Sequence, residues 1–360
     1  MAVTKPALDL RQTREVGKAP PRILRGAEAP KKARPEAVTE EGYYGLPMLK
    51  RPTWRWQIAW YFYLEGVSSG AFLTACLAEM FGGKRMKPAV RAARHVAFLS
   101  FLPCPPLLID DLGDPSRFHH MLRVFKPSSP MNLGTWALTT YSLPLTLLAA
   151  KQVSSDLRLP DWPLKLIGKL APSCSLDVIG IPLALTMMSY PGVLLSTTST
   201  PLWAKSRLLG ALFASNALSN GVAATRLALA LGAGRECAAS RRLEKIEIAS
   251  RVVEAAALAG YLATTGDAAK PLTSGRQGWR FWLGAVGAGL IAPAIIQAFK
   301  PKERRPSLGA TLLGSALTLA GGLALKWAVV HAGRDSADDL RSAQEATRPS
   351  RNAPGWAEPS

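Results

Sequence analysis

Four charged residues stand in register within residues 243–265: Glu244, Glu247, Arg251 and Glu254. Counted from the first, they fall at i, i+3, i+7 and i+10. At about 100° per residue, that spacing puts all four on one narrow stripe of a helix. Glu247 and Arg251 form an i,i+4 pair with the carboxylate on the N-terminal side, the favourable order. Glu254 falls roughly 15 Å beyond Glu244 along the axis. In apolar surroundings such a stripe has two readings, and both are open. It can hold helices together as a buried ion-pair network, or it can pass protons from group to group along the axis. Other titratable groups sit beside apolar runs: Glu65, the adjacent Asp110 and Asp111, the adjacent His119 and His120, and Tyr190 next to Pro191. Carboxyls, imidazoles and phenols in low-dielectric surroundings are groups that take and release protons. Two neighbouring carboxyls near such surroundings tend to keep at least one proton. Asp111 has a plainer alternative, capping the loop or pairing with Arg117.

Several chemistries find no support. Cys76, Cys104, Cys174 and Cys237 are far apart and form no C-x-x-C pair, so no iron–sulfur or zinc site is legible. A haem inside a membrane helix needs axial ligands, usually histidine. The chain has His95, His119, His120 and His331, and His95, the one beside an apolar run, has no partner at helical spacing. The expectation is a chain with no haem and no cluster of its own. There is no phosphate-binding glycine loop, no H-E-x-x-H and no G-x-S-x-G.

The elements that must position these groups are apolar runs of about twenty residues, the length that crosses a hydrocarbon core of roughly 30 Å. Hydrophobic residues make up 48% of the 360, and they are concentrated in these runs. Eight spans are expected, at about 54–80, 91–110, 131–151, 175–196, 205–231, 243–265, 278–299 and 308–331. Trp54, Trp56 and Trp60 form an interfacial belt at the first. Gly66, Ser68, Ser69 and Gly70 are small enough for another helix to approach closely. Pro103, Pro105 and Pro106 should break the second span, and Pro144 kinks the third more mildly. The fifth carries Asn216, Ser219 and Asn220, and the eighth ends near Lys326, Trp327 and His331. The fold class is therefore an all-α integral membrane protein of eight transmembrane helices, arranged as two four-helix bundles. Residues 1–52 read as a disordered basic tail, 53–332 as the membrane domain and 333–360 as a second disordered tail.

The formal net charge is +19, with Lys and Arg gathered in the tails and between spans, which suits loops of a membrane protein and anionic lipid rather than nucleic acid. The odd-numbered loops hold the clusters Lys84-Arg85-Lys87, Arg241-Arg242 and Lys300-Lys302-Arg304-Arg305. By the short-loop rule they are cytoplasmic and the loop after the second span is external, although Lys50-Arg51 argues the reverse. A multi-pass protein of the bacterial inner membrane is expected.

That second loop lies within the stretch LLIDDLGDPSRFHHMLRVFKPSSPMNLGTW, residues 107–136. The ordered phrase D-L-G-x-P-x-R-F, then M-L, then S-P-M-x-x-G-T-W resembles the signature of the NrfD/PsrC family, the quinone-reactive membrane subunits of molybdenum-enzyme respiratory complexes. The small residues of the first span resemble the family's F-x-x-G-G-x-x-x-G pattern, with Glu65 where glycine is commoner. Tyr190-Pro191-Gly192-Val193-Leu194-Leu195 with Pro201 and Trp203 resembles Y-T-G-x-L-L…P-x-W, with proline in place of threonine.

The resemblance implies a subunit that passes electrons between a partner's iron–sulfur centre and the quinone pool, menaquinone or ubiquinone. It implies a ferredoxin-like iron–sulfur subunit and a molybdopterin catalytic subunit as partners. It places quinone near Tyr190, and the carboxyls of Glu65 and Asp111, chosen for their own chemistry, complete the expected quinone-binding set. Asp110, Glu247, Arg251 and Glu254 are then candidates for proton transfer, and Arg117, Phe118 and His119 for contact with the partner. The segment YYGLPMLK ahead of the first span is similar to anchors of formate dehydrogenases, and polysulfide reductase is the other enzyme the resemblance suggests. Proline-broken helices and intramembrane charges also suit a proton-coupled secondary transporter. The departure at Glu65 leaves room for a passive anchor without quinone activity.

Overall fold

A computed structural model describes residue 49 and residues 51–158, 172–232, 238–299 and 308–337. Most of the two expected tails, including YYGLPMLK up to Met48, lies outside these residues, as do Cys237 and Lys300-Lys302-Arg304-Arg305. The described residues contain helices and no strand. Helix α1 spans Trp56–Phe81, α2 Lys87–Phe101, α3 Cys104–Asp110, α4 Pro130–Leu157, α5 Ser173–Ser196 and α6 Leu209–Leu231. Then come α7 over Ala238–Thr265, α8 over Gly275–Ala298 and α9 over Leu308–Ser336.

Four helical stretches are long and apolar enough to cross a membrane: Lys84–Asp110, Ser173–Ser196, Gly275–Ala298 and Leu308–Ser336. The remaining long helices, α1, α4, α6 and α7, carry more of the polar side chains on which the site is built. A helix suits this setting because every interior N–H and C=O is bonded within the segment itself.

Proline acts in two ways. At Leu102-Pro103 the helix stops and restarts as α3, whereas α4 runs through Pro144 and α5 through Pro182 and Pro191. Helix α8 widens to i→i+5 hydrogen bonding over Arg280–Ile291, a geometry that is rare at such length.

Helices α1 and α6 form the centre. α1 packs against α2, α5, α6 and α9, and α6 against α2, α5, α7 and α9, while α8 rests on α9. The α1–α6 crossing is close because it is made of small residues: a Cβ at Gly70 would overlap the Ala217 carbonyl, and one at Gly221 would overlap the Ala71 amide. α6 is thus shared between the two halves of the sequence rather than confined to a separate bundle.

Two ends can be distinguished. At the loop end lie the start of α1, the end of α3, the start of α4 and the end of α9. Arg51 pairs with Asp335 there at 3.3 Å, which brings the beginning of α1 and the end of α9 to the same side. At the far end lie the turn between α1 and α2, the start of α7 and the start of α9. Arg242 of α7 donates there to the Gly82 carbonyl at 3.2 Å.

Candidate functional site

The loop that opens the site is held by Asn132, one turn into α4. Pro130 occupies the first helical position and the Ser129 hydroxyl accepts from the Asn132 amide at 3.4 Å, an ordinary N-cap. The Asn132 side chain then turns back over the loop. Its Nδ2 donates to the Met121 carbonyl at 2.9 Å and the Val124 carbonyl at 3.0 Å, and its Oδ1 accepts from the Lys126 amide at 2.7 Å. Replacing Asn132 by leucine removes three bonds that close the loop on the helix. At about 1 kcal/mol each, their loss should loosen residues 112–129 without unfolding the bundle. Limited proteolysis checks this: cleavage within the loop should speed up about tenfold or more while the helices stay protected.

Within the loop, Asp114 accepts from the Ser116 amide and hydroxyl and pairs with Arg117 at 3.0 Å. The bonds from Ser116 hold its carboxyl below the usual range, with Arg117 and His120 adding to the effect. Arg117 is therefore engaged by Asp114, three residues before it, and of the two plainer alternatives for Asp111 the pair with Arg117 is not the one formed. Asp111 has Arg55 as its charge neighbour. Burial raises its carboxyl, Arg55 lowers it and the adjacent Asp110 raises it further, for a net upward shift. Phe118, Leu122, Val124 and Phe125 are exposed beside Arg117, Arg123 and Lys126, giving the loop an apolar and basic outer face. His119 and His120 are exposed on it, their ring centres 4.4 Å apart.

Beneath the loop, Gln57 Nε2 donates to Asp110 at 3.0 Å. Gln57, Tyr61 and Glu65 follow at intervals of four residues on one face of α1. All three are buried, and Tyr61 is within electrostatic reach of both Glu65 and Tyr190. Among the described residues, neither carboxyl oxygen of Glu65 has a hydrogen-bond partner, and neither do Gln57 Oε1 and the buried Trp136 Nε1. The Tyr190 hydroxyl donates to the Pro130 carbonyl at 2.6 Å and is seated against Gly134, where a Cβ would occupy its place. Trp203 is wholly buried; its Nε1 donates to the Val329 carbonyl at 2.9 Å and Trp54 stacks on it.

From Glu65 a buried polar row continues through α6, α7 and α9 to the far end. Lys326 of α9 lies within electrostatic reach of Glu65 and of Glu254. Its Nζ sits 3.3 Å from the centre of the Phe213 ring and 3.5 Å from the Phe213 carbonyl oxygen. Asn216 Nδ2 donates to Glu254 at 2.7 Å. Arg251 donates to Glu247 at 2.8 Å, to Gln297 at 2.8 Å and to Thr318 at 3.3 Å. Arg226 of α6 closes on the other oxygen of Glu247 and reaches Glu244 at 3.9 Å. Glu244 is the partly exposed end of the row, 18% accessible at its side chain. Leaving aside partly exposed Glu244, three buried carboxylates, Glu65, Glu247 and Glu254, stand with three buried cations, Arg226, Arg251 and Lys326, so the buried part of the row is formally balanced. Facing lipid, each charge would cost about 3 kcal/mol; all of them face protein.

Sequence reasoning places the stripe on α7 and the carboxyls at the loop end, and the structure joins the two through groups that the sequence does not single out. Lys326 reads from sequence as belonging near the end of a span, but α9 continues for ten residues beyond it, to Ser336. Arg226 has no cue in its own segment. Gln57 and Tyr61 are legible as the i−8 and i−4 neighbours of Glu65. Asp177, buried with Arg94 at 3.3 Å, is a further intramembrane pair at the far end that spacing alone does not mark. Among the described residues no three His, Cys, Asp or Glu side chains converge as metal ligands would.

The profile of the family described as polysulphide reductase, NrfD matches residues 46–335. The C component of the polysulfide reductase of Wolinella succinogenes is 28% identical over 304 residues, 78% of the present chain and 94% of that protein. Protein NrfD of Escherichia coli is 26% identical over 309 residues, 78% and 95% of the two proteins. The C component of the selenate reductase of Mesobacillus selenatarsenatis is 28% identical over 111 residues, 31% of the present chain and 25% of that protein.

Proposed function

This chain belongs to the polysulphide reductase NrfD family and is a multi-pass membrane subunit; from that premise we propose that it joins a partner's redox centre to the quinone pool, with its buried polar row supplying protons. In this reading all eight long helical stretches cross the bacterial inner membrane. The observation that supports it best is the order of buried polar groups from one end to the other: Asp110 bonds Gln57 at the loop end, Tyr61, Glu65, Lys326, Glu254 and Arg251 follow, each within electrostatic reach of the next, and Arg251, Glu247, Arg226 and Glu244 are ion-paired toward the far end.

Quinone, when bound, supplies two-electron and two-proton chemistry. The groups at the loop end fit it. Trp136 Nε1 is a buried donor without a partner among the described residues, suited to a carbonyl oxygen. The Tyr190 hydroxyl, whose proton is held by the Pro130 carbonyl, keeps its lone pairs to accept from a quinol hydroxyl, the reduced form of the carrier. Glu65, its carboxyl oxygens open, gives or takes a proton at the inner side, and Asp111 does so at the loop side. Asp110 and Gln57 link the two. The carboxyls of Glu65, Asp110 and Asp111 are the general acids or bases of this set, and Trp136 and Gln57 orient groups by hydrogen bonding.

Arg117, Phe118 and His119 lie on the outer loop face, where the iron–sulfur subunit of a molybdopterin enzyme would dock, basic groups to acidic ones and exposed rings to apolar ones. The relatives are named for polysulfide and selenate reductases, which favours a reductase partner over a formate dehydrogenase.

Glu254→Gln, assayed in the assembled complex, tests the row. Quinone-linked turnover should fall about tenfold or more while turnover with an artificial dye and complex assembly stay normal. Unchanged quinone turnover would leave the stripe as an ion-pair network that binds α6, α7 and α9.

A further inference from the structure

At the far end, away from the proposed quinone site, a cavity of about 360 Å³ lies between α1, α6 and α7. Its walls are apolar: Leu77, Phe81, Met86, Leu218 and Ile246 are among them. Leu77, Phe81 and Ile246 are exposed, so the groove opens sideways, toward the region that acyl chains fill. Among the described residues, the single charged one in its lining is Arg242, held at the helix end by its bond to the Gly82 carbonyl. That bond uses one of the five N–H donors of its guanidinium. Lys84 and Arg85 stand exposed on the turn that packs against α7, and Arg241 and Lys245 stand exposed on α7 itself. Glu244, the nearest carboxylate in sequence, is turned inward to Arg226.

We propose that this groove is a binding site for one anionic phospholipid, its acyl chain along Leu77, Leu218 and Ile246 and its phosphate on Arg242, with Lys84 and Arg241 completing the charge. A partner protein would not need an anion at one end of an apolar slot, and a free phosphate would not need the slot. Both features together match a lipid with a charged headgroup, and basic clusters at the cytoplasmic ends of helices recognise such headgroups. The basic loops on this side are the ones that the charge distribution assigns to the cytoplasm.

The test uses the purified, assembled complex in detergent. Retained phospholipid is quantified by mass spectrometry after mild delipidation, and thermal unfolding is followed with added phosphatidylglycerol, phosphatidylcholine or inorganic phosphate. About one anionic phospholipid per complex should be retained, and phosphatidylglycerol should raise the melting temperature where the other two do not. Arg242→Gln should weaken retention about fivefold. Leu77→Trp, which fills the groove and leaves the charge, should abolish it. Equal responses to phosphatidylglycerol and phosphatidylcholine would overturn the site as an annular contact. Protection by inorganic phosphate alone, or full retention in both variants, would overturn it as well. Because the wild-type lipid comparison stands apart from the variants, a variant that misfolds leaves the proposal testable. Its failure would leave the quinone reading untouched, since none of these residues belongs to that site.

Discussion

Lys326→Met should reduce quinone-linked turnover by about two orders of magnitude while the complex still assembles. Methionine matches the length of lysine and keeps the apolar contact with Phe213, so packing changes little. What disappears is the cation within reach of both Glu65 and Glu254. The buried row then holds three carboxylates against two cations. Breaking a buried charge relationship by removing one partner costs about 3–5 kcal/mol, because the other charge is left uncompensated. The double variant Lys326→Met/Glu65→Gln restores the formal balance. If the two side chains act on each other, it should recover much of the lost stability, and the coupling in a double-mutant cycle measures how much. Turnover should stay low in the double variant, since two members of the row are gone. Additive effects on stability would mean that Lys326 and Glu65 are independent, and full turnover in Lys326→Met would remove the lysine from the route.

Glu65→Gln carries the second large effect. Glutamine is nearly isosteric and still offers a carbonyl, but it neither gives nor accepts a proton at neutral pH. Loss of a positioned acid or base costs about 100-fold or more. The fall should appear in quinone-linked turnover, with dye-linked activity of the catalytic partner unchanged. Neither Glu65 oxygen has a hydrogen-bond partner among the described residues, but the substitution takes away a carboxylate facing Lys326 and leaves two buried carboxylates against three cations, so some thermal stability should be lost while the complex still assembles. A variant with wild-type quinone turnover would place proton exchange elsewhere at the loop end, with Asp111 the next residue to test. Residual quinone binding measured alongside separates the two roles: a carboxyl that only orients the ring would raise the quinone KM, and one that exchanges protons would lower kcat.

Much of the fold is legible in the sequence because its causes are local. Apolar run length predicts a long helix at each of the eight positions, four of which are long and apolar enough to cross a membrane, and Pro103, Pro105 and Pro106 mark the break between α2 and α3. The small residues Gly66 and Gly70 announce a close crossing, although only the structure says that its partner is α6 at Ala217. The stripe on α7 is legible from periodicity, and its three inner members are buried, as charges on a helix among apolar runs must be. What cannot be read is which group meets which across helices. Lys326 falls near the expected end of the eighth span, and it becomes central only because α9 extends past it. Arg226 meets Glu247 because α6 and α7 lie side by side, a fact that no spacing within either helix contains. The Asp114–Arg117 pair illustrates a different limit: two carboxylates compete for one arginine, and the tight turn after Pro115 decides between them.

The pairing of a quinone pocket with the loop end is tested most directly by photoaffinity labelling. The assembled complex is irradiated with an azido-quinone, digested and mapped by mass spectrometry, with excess unlabelled quinone as competitor. Competable label should fall on the first half of α1 around Tyr61 and on the α5 segment around Tyr190. Competable label confined to the far end, or to the partner subunits alone, would contradict a quinone site in this chain beneath the loop.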